Sequence, residues 1–180
     1  AFPFNNAIFD TIEFYLSNTD ERTRLVGHSD SLKRKFDHII GSDTHYQQIS
    51  KGVSDTLQFF IDLNKFITTL GNRTIKGELH KGMETVKSIL DTPSVVFIKS
   101  MEKVGKRSYA KTLEYDQLFR FTIRKDILQL LHYAYEVDVF IAVAAVAESL
   151  DLTFAEINQG DSNTIAMEGV YHPLVPGAVT

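Results

Sequence analysis

Residues 43–71 read DTHYQQISKGVSDTLQFFIDLNKFITTLG. Tyr46, Ile49, Val53, Leu57, Phe60, Ile61, Asn64 and Ile67 recur mostly at spacings of three and four, the period that gathers side chains on one face of an α-helix. The stripe lasts from Asp43 to Gly71, about 27 residues, or roughly 40 Å at the α-helical rise. So long a helix points to a bundle. Prolines stand only at 3, 93, 173 and 176, so the residue that most strongly breaks a helix is absent from 4–92 and 94–172. Gly52 interrupts the stripe at a cost of about 1 kcal/mol relative to alanine and allows a bend there.

Further helices follow on both sides. Phe9, Ile12 and Leu16 predict a short helix over 6–16, with Asn5 or Asn6 able to cap it. Ser29 or Asp30 caps a second, with the stripe Leu32, Phe36, Ile39 and Ile40 and with Gly41 at its C-terminal end. Ile75, Leu79, Met83, Val86 and Leu90 predict a helix over about 73–90, and Thr92-Pro93 then reads as a cap and first position of a short helix to about Lys103. After a loop at 104–111, helical patterning resumes over Leu113–Arg124 and Asp126–Leu150. The last helix carries Leu130, Leu131, Ala134, Val137, Phe140, Ile141, Ala144 and Ala145 and is expected to be the most buried. Its longest uninterrupted apolar run, Val139–Ala147, falls far short of the ~20 residues of a membrane span and reads as buried core. Alternation appears only at Thr164–Glu168, which predicts one strand. The expected fold is mainly α, a bundle of long helices with one short strand near the C-terminus.

A composition of 43% hydrophobic and 23% charged residues excludes disordered and low-complexity classes. The absence of cysteine removes disulfide frameworks and thiolate chemistry and fits a reducing cytosol. The net charge of -4 conceals an asymmetry: after Lys125 there is no lysine or arginine, while eight acids follow, so polyanion contacts are expected in the first two-thirds. The histidines at 28, 38, 45, 80, 132 and 172 form no His-Glu-x-x-His pair, and neither a Gly-x-Ser-x-Gly elbow nor a Gly-rich phosphate loop occurs. No autonomous enzyme is expected.

Two features remain for binding. Lys99, Lys103, Lys106, Arg107 and Lys111 surround Tyr109, and Lys103, Lys106, Arg107 and Lys111 are candidate contacts to a DNA backbone, the alternative being an ordinary solvated loop. Asp138 lies in an apolar stretch, where a carboxylate is either held by a partner or emerges to solvent.

Residues 130–147, LLHYAYEVDVFIAVAAVA, followed by residues 164–175, TIAMEGVYHPLV, resemble the MutS family of DNA mismatch repair ATPases. In that family a long helix with an aspartate and an alanine-rich run closes the helical core and lever domain. A loop and strand then lead to an Arg-His-Pro-Leu motif at the start of the ATPase domain. Asp138 and His172-Pro173-Leu174 occupy the corresponding places, while Tyr171 stands where arginine is usual. The resemblance covers about residues 112–177. It implies a helical core/lever domain over 1–163 and, over 164–180, a strand and turn leading into an ATPase domain beyond Thr180. It also implies that ATP and magnesium belong to the parent protein and not to this segment. The implied partners are DNA, the ATPase domain of the same chain and a second subunit, with a cytoplasmic location and no membrane segment. The short interval between the long helices implies a reduced member without the family's inserted clamp. Two other readings are a helical protein-interaction module with no nucleic-acid role, and a metal hydrolase built from scattered histidines and carboxylates.

Overall fold

Apolar residues at helical spacing do form helices over nearly the whole described chain. The computed structural model describes residues 4, 6–20, 25, 44–71, 77–153, 155, 165–167 and 170. In chain order these form α1 (Asn6–Ser17), α2 (Thr44–Leu70), α3 (Gly77–Leu90), a 3-10 helix (Val96–Ser100), α4 (Tyr109–Asp116), a π-helical turn (Gln117–Thr122) and α5 (Arg124–Ser149). The protein is mainly helical, with no strand among the described residues. Ile165–Met167 lie in irregular backbone, so the expected strand is not shown. Thr164, Glu168 and the helix expected after Ser29 or Asp30 fall outside the described residues.

The chain divides into two compact units, residues 1–138 and 139–180. α2 is the central helix of the first. It runs 27 residues without a break, and between Thr56 and Leu63 it is buried nearly all round, as expected of a helix with neighbours on every side. An aromatic string passes through it. Phe9 of α1 meets Phe59 at 5.8 Å, Phe60 meets Phe119 at 5.9 Å, and Tyr115 stacks between Phe119 and Phe97, 5.7 Å from each. Such pairs add about 0.5–1.5 kcal/mol each beyond the area they bury.

The helix is unbroken at Gly52. The glycine instead lets the Tyr15 ring of α1 lie on the α2 backbone, since a Cβ there would sit 2.3 Å from Tyr15 Cγ. Gly82 does the same for α3, where a Cβ would sit 2.4 Å from Tyr133 Cδ2. Both glycines cost helix propensity and permit close approach of a ring.

The helix expected over Pro93–Lys103 is shorter and tighter. Thr92 Oγ1 donates back to the Ile89 carbonyl at 2.8 Å, closing α3 rather than capping a new helix. The amides of Val95, Ile98 and Met101 then bond three residues back, so the segment is a turn and one 3-10 helix. α4 starts within the expected loop because Ser108 caps it, its Oγ accepting from the Lys111 amide at 3.2 Å. The π turn follows without a break, with Ile123 N bonding Leu118 O, five residues back, at 2.9 Å. The residue it inserts shifts the phase, so that Tyr115, Phe119, Ile123 and Ile127 are all buried.

The expectation that the last helix is the most buried holds only for its first half. Ile127, Leu130, Leu131, Tyr133, Ala134 and Val137 are core, whereas Val139, Phe140, Val143 and Val146 are exposed. The run Val139–Ala147 is therefore not buried core: the described core of α5 ends at Val137. By length and composition α5 is the one described helix apolar enough to cross a membrane, with 28% of its apolar window buried. Its exposed apolar part, Val139–Leu150, would cover only about 18 Å, well short of a ~30 Å hydrocarbon layer. α5 ends in a turn in which Leu152 N bonds Ala147 O at 2.8 Å, with Asp151 in the left-handed region at φ 52°.

Two substitutions test this packing by chemical denaturation. Gly52→Ala raises helix propensity yet drives a methyl into Tyr15, and the expected outcome is a net loss of about 1–3 kcal/mol. Asp151→Gly relieves a left-handed residue and is expected to gain about 1 kcal/mol.

Candidate functional site

The basic cluster divides into engaged and free side chains. Arg107 is half-buried. Its Nη2 donates to the Ser54 hydroxyl and to the Ser50 carbonyl at 3.4 Å, and its Nη1 to Gly105 O at 3.3 Å, so it ties the 101–108 loop to α2. Lys111 Nζ bonds both carboxylate oxygens of Glu114 at 2.8 and 2.9 Å and lies 4.9 Å from the Tyr115 ring centroid. The Glu114 hydrogen bond raises the Lys111 pKa above the ordinary lysine value. Lys99 is paired with Asp91. Only Lys103 and Lys106 of the cluster are exposed with no hydrogen bond or ion pair among the described residues.

Asp138 is half-buried on α5 and has no hydrogen-bond partner among the described residues. His172, Pro173 and Leu174 lie outside the described residues. Of the histidines, His80 and His132 are exposed, His45 is half-buried, and His28 and His38 lie outside the described residues. His132 Nε2 is 3.4 Å from Glu136 Oε1 on the surface of α5. Among the described residues no three of His, Asp or Glu are grouped to hold a metal ion.

A charge cluster that sequence reading did not find lies at the junction of α1 and the π turn. Arg120 Nε and Nη2 donate to Asp116 Oδ1 and Oδ2, each at 2.6 Å, and both side chains are about 1% exposed. Tyr15 OH donates to Asp116 Oδ1 at 2.9 Å. Arg120 Nη1 reaches the Asn18 carbonyl at 3.0 Å, and Arg124 Nε reaches the Leu16 carbonyl at 2.8 Å. Two guanidinium groups thus sit on carbonyls at the C-terminal end of α1, where a helix presents partial negative charge. Burial, then the charge and hydrogen bond of Asp116, push the Tyr15 phenol far above its ordinary range. Burial, the largest single effect, works against the Arg120 charge, and the hydrogen bonds and charges of Asp116 and Tyr15 together outweigh it, leaving its pKa raised. With three donors on Asp116, the cluster clamps α1 to the π turn. Its signal in the sequence was an Asp and an Arg at i, i+4 inside the aromatic-rich stretch Tyr115–Phe121, where Gln117 is the one other polar residue. Nothing in the sequence pointed to Tyr15, a hundred residues away.

A small cleft of about 30 Å³ borders the clamp, lined by Phe14, Tyr15, Asn18, His45 and Arg120, and two others lie in the first unit. One of about 300 Å³ lies over Asp10, Thr11, Phe14, Tyr15, Gln48 and Lys51, with the Phe14 ring exposed. Lys51 closes one side of it, bonding Thr11 Oγ1 at 2.9 Å and Asp55 Oδ2 at 2.6 Å. The second, about 100 Å³, borders Tyr133, whose hydroxyl is buried without a hydrogen-bond partner. Burial and then the Glu136 charge push its pKa up to about 12. In the second unit a groove of about 370 Å³ is lined by Ala142, Val143, Val146, Ala147, Leu152 and Thr153. Comparison with known protein families, with curated proteins and with solved structures finds no match.

The clamp makes two predictions. Asp116→Asn leaves Arg120 buried without its counter-charge and is expected to cost about 3–5 kcal/mol in urea unfolding. A phenol whose pKa is raised on folding stabilises fully below the ordinary tyrosine value near 10 and loses that contribution as pH rises above it. Stability is therefore expected to be flat from pH 8 to 9.5 and to fall beyond pH 10, with a shallower fall in Tyr15→Phe.

Proposed function

We propose that this chain is the non-catalytic core and lever segment of a MutS-like DNA repair ATPase, coupling nucleotide state to DNA binding in its parent protein. The observation that carries the reading is a pair of long unbroken helices, α2 with 27 residues and α5 with 26, each roughly 40 Å long. Coupling between distant sites needs elements that move as rigid bodies, and long helices packed against an aromatic core fit that need. The Asp138 helix and the His172-Pro173-Leu174 motif supply the family assignment. On this reading the parent binds ATP and magnesium through its own ATPase domain, pairs with a second subunit and works on DNA in the cytoplasm. Within the described basic cluster, Lys103 and Lys106 are the cations available for backbone phosphates. Arg107 and Lys111 serve the loop and α4 first.

Two experiments test it. Reading the parent frame beyond Thr180 is expected to reveal Gly-x-x-x-x-Gly-Lys-Ser/Thr within about 60 residues, and its absence overturns the assignment. Duplex binding by this chain, measured against salt, is expected to lose about 2 from the log–log slope when Lys103 and Lys106 are both changed to glutamine. Equal, negligible binding by both proteins removes DNA contact from this segment.

A further inference from the structure

The cleft of about 300 Å³ bordered by α1 and α2 holds an unspent charge beside an exposed ring. Asp10 and Phe14 stand four residues apart on α1, so they share one face of that helix, and both line the cleft. Phe9 and Tyr15 of the same helix are buried, whereas Phe14 is 67% exposed. Tyr15 also borders the cleft, and it is held at both ends, its ring on Gly52 and its hydroxyl on Asp116 at 2.9 Å. A wall fixed in this way lowers the ordering cost of binding.

The polar groups that are already engaged, and those that are not, select the ligand. Thr11 Oγ1 donates to the Ala7 carbonyl at 3.1 Å and accepts from Lys51 Nζ at 2.9 Å, and the Lys51 charge is met by Asp55 at 2.6 Å. Asp10 and Gln48 have no hydrogen bond or ion pair among the described residues. The cleft therefore leaves unused a carboxylate, a carboxamide and a phenyl ring. A carboxylate only accepts, an amide oxygen accepts as well, and a ring face attracts positive charge. A guanidinium suits all three: its N–H fork matches a carboxylate, and its plane stacks on an aromatic face. An anion would face the Asp10 charge with only the already paired Lys51 to hold it. We propose that this cleft binds a guanidinium group, stacked on Phe14 and hydrogen-bonded to Asp10, with Gln48 as a further acceptor. The site lies wholly in the first unit and is independent of the lever reading.

The test is a ligand-observed NMR titration of the whole chain with Nα-acetylarginine amide and with its uncharged near-isostere, Nα-acetylcitrulline amide. The arginine derivative is expected to bind saturably and at least threefold tighter, the scale set by one exposed cation–π contact and one exposed ion pair. Asp10→Asn is expected to remove that preference, and Phe14→Leu to weaken the arginine derivative at least twofold. Phe14→Tyr is expected to preserve its binding. Both positions are exposed, and the circular dichroism spectrum is expected to stay unchanged in each variant. Ethylguanidine identifies the source of the group. Affinity matching the arginine derivative means that the head group alone is read, as for a small free guanidine, and weaker affinity assigns the cleft to an arginine residue of a peptide. Equal affinity for the arginine and citrulline derivatives, or no saturable binding of either, overturns the proposal. So does tighter binding of Nα-acetylglutamate amide, or a preference that survives both Asp10→Asn and Phe14→Leu.

Discussion

An ion pair that excludes water holds the first unit to one arrangement. Asp116 and Arg120 are about 1% exposed, and neither can be taken out of water without the other. Their mutual geometry is set by the π turn, which carries Arg120 inward beside Phe119. Tyr15 then has one place to donate its proton, and α1 is fixed in register against the turn. A purely apolar contact between the same elements would tolerate sliding by a turn. A bidentate pair with a third donor does not, because any shift leaves a buried group unbonded.

The constraint reaches α2 through the same tyrosine. Tyr15 bonds Asp116 with its hydroxyl and lays its ring on the backbone at Gly52. A helix-weakening residue in the middle of the longest helix is thus explained by what passes over it. The stabilisation lost to glycine, about 1 kcal/mol, is offset by the ring contact and by a hydrogen bond that no larger residue at 52 would leave in place. Tyr133 over Gly82 repeats the device without a phenolic partner, and its buried hydroxyl is left unbonded.

What could be read from the sequence was whatever a single helix face determines. The stripe from Tyr46 to Ile67 gave α2 to within a residue at each end, and Leu130, Leu131, Ala134 and Val137 gave the buried part of α5. Local alternatives were harder. Thr92 can cap the helix after it or close the one before it, and only the direction of its hydroxyl decides. The clamp was not legible because it joins residues 15 and 116, and no periodicity links them. The basic loop was visible as composition, but composition does not distinguish Arg107, spent on Ser54 and Ser50, from Lys106, which is exposed.

The exposed half of α5 shows why apolar composition alone misleads. The helix is richer in aliphatic residues after Asp138 than before Val137, yet it is the earlier half that is buried. The difference lies in the company each half keeps. Residues 127–137 share their unit with α1, α3 and an aromatic string, whereas among the described residues 139–150 meet a short wall at Leu152 and Thr153. Hydrophobic burial is a property of two surfaces, and a sequence states only one of them.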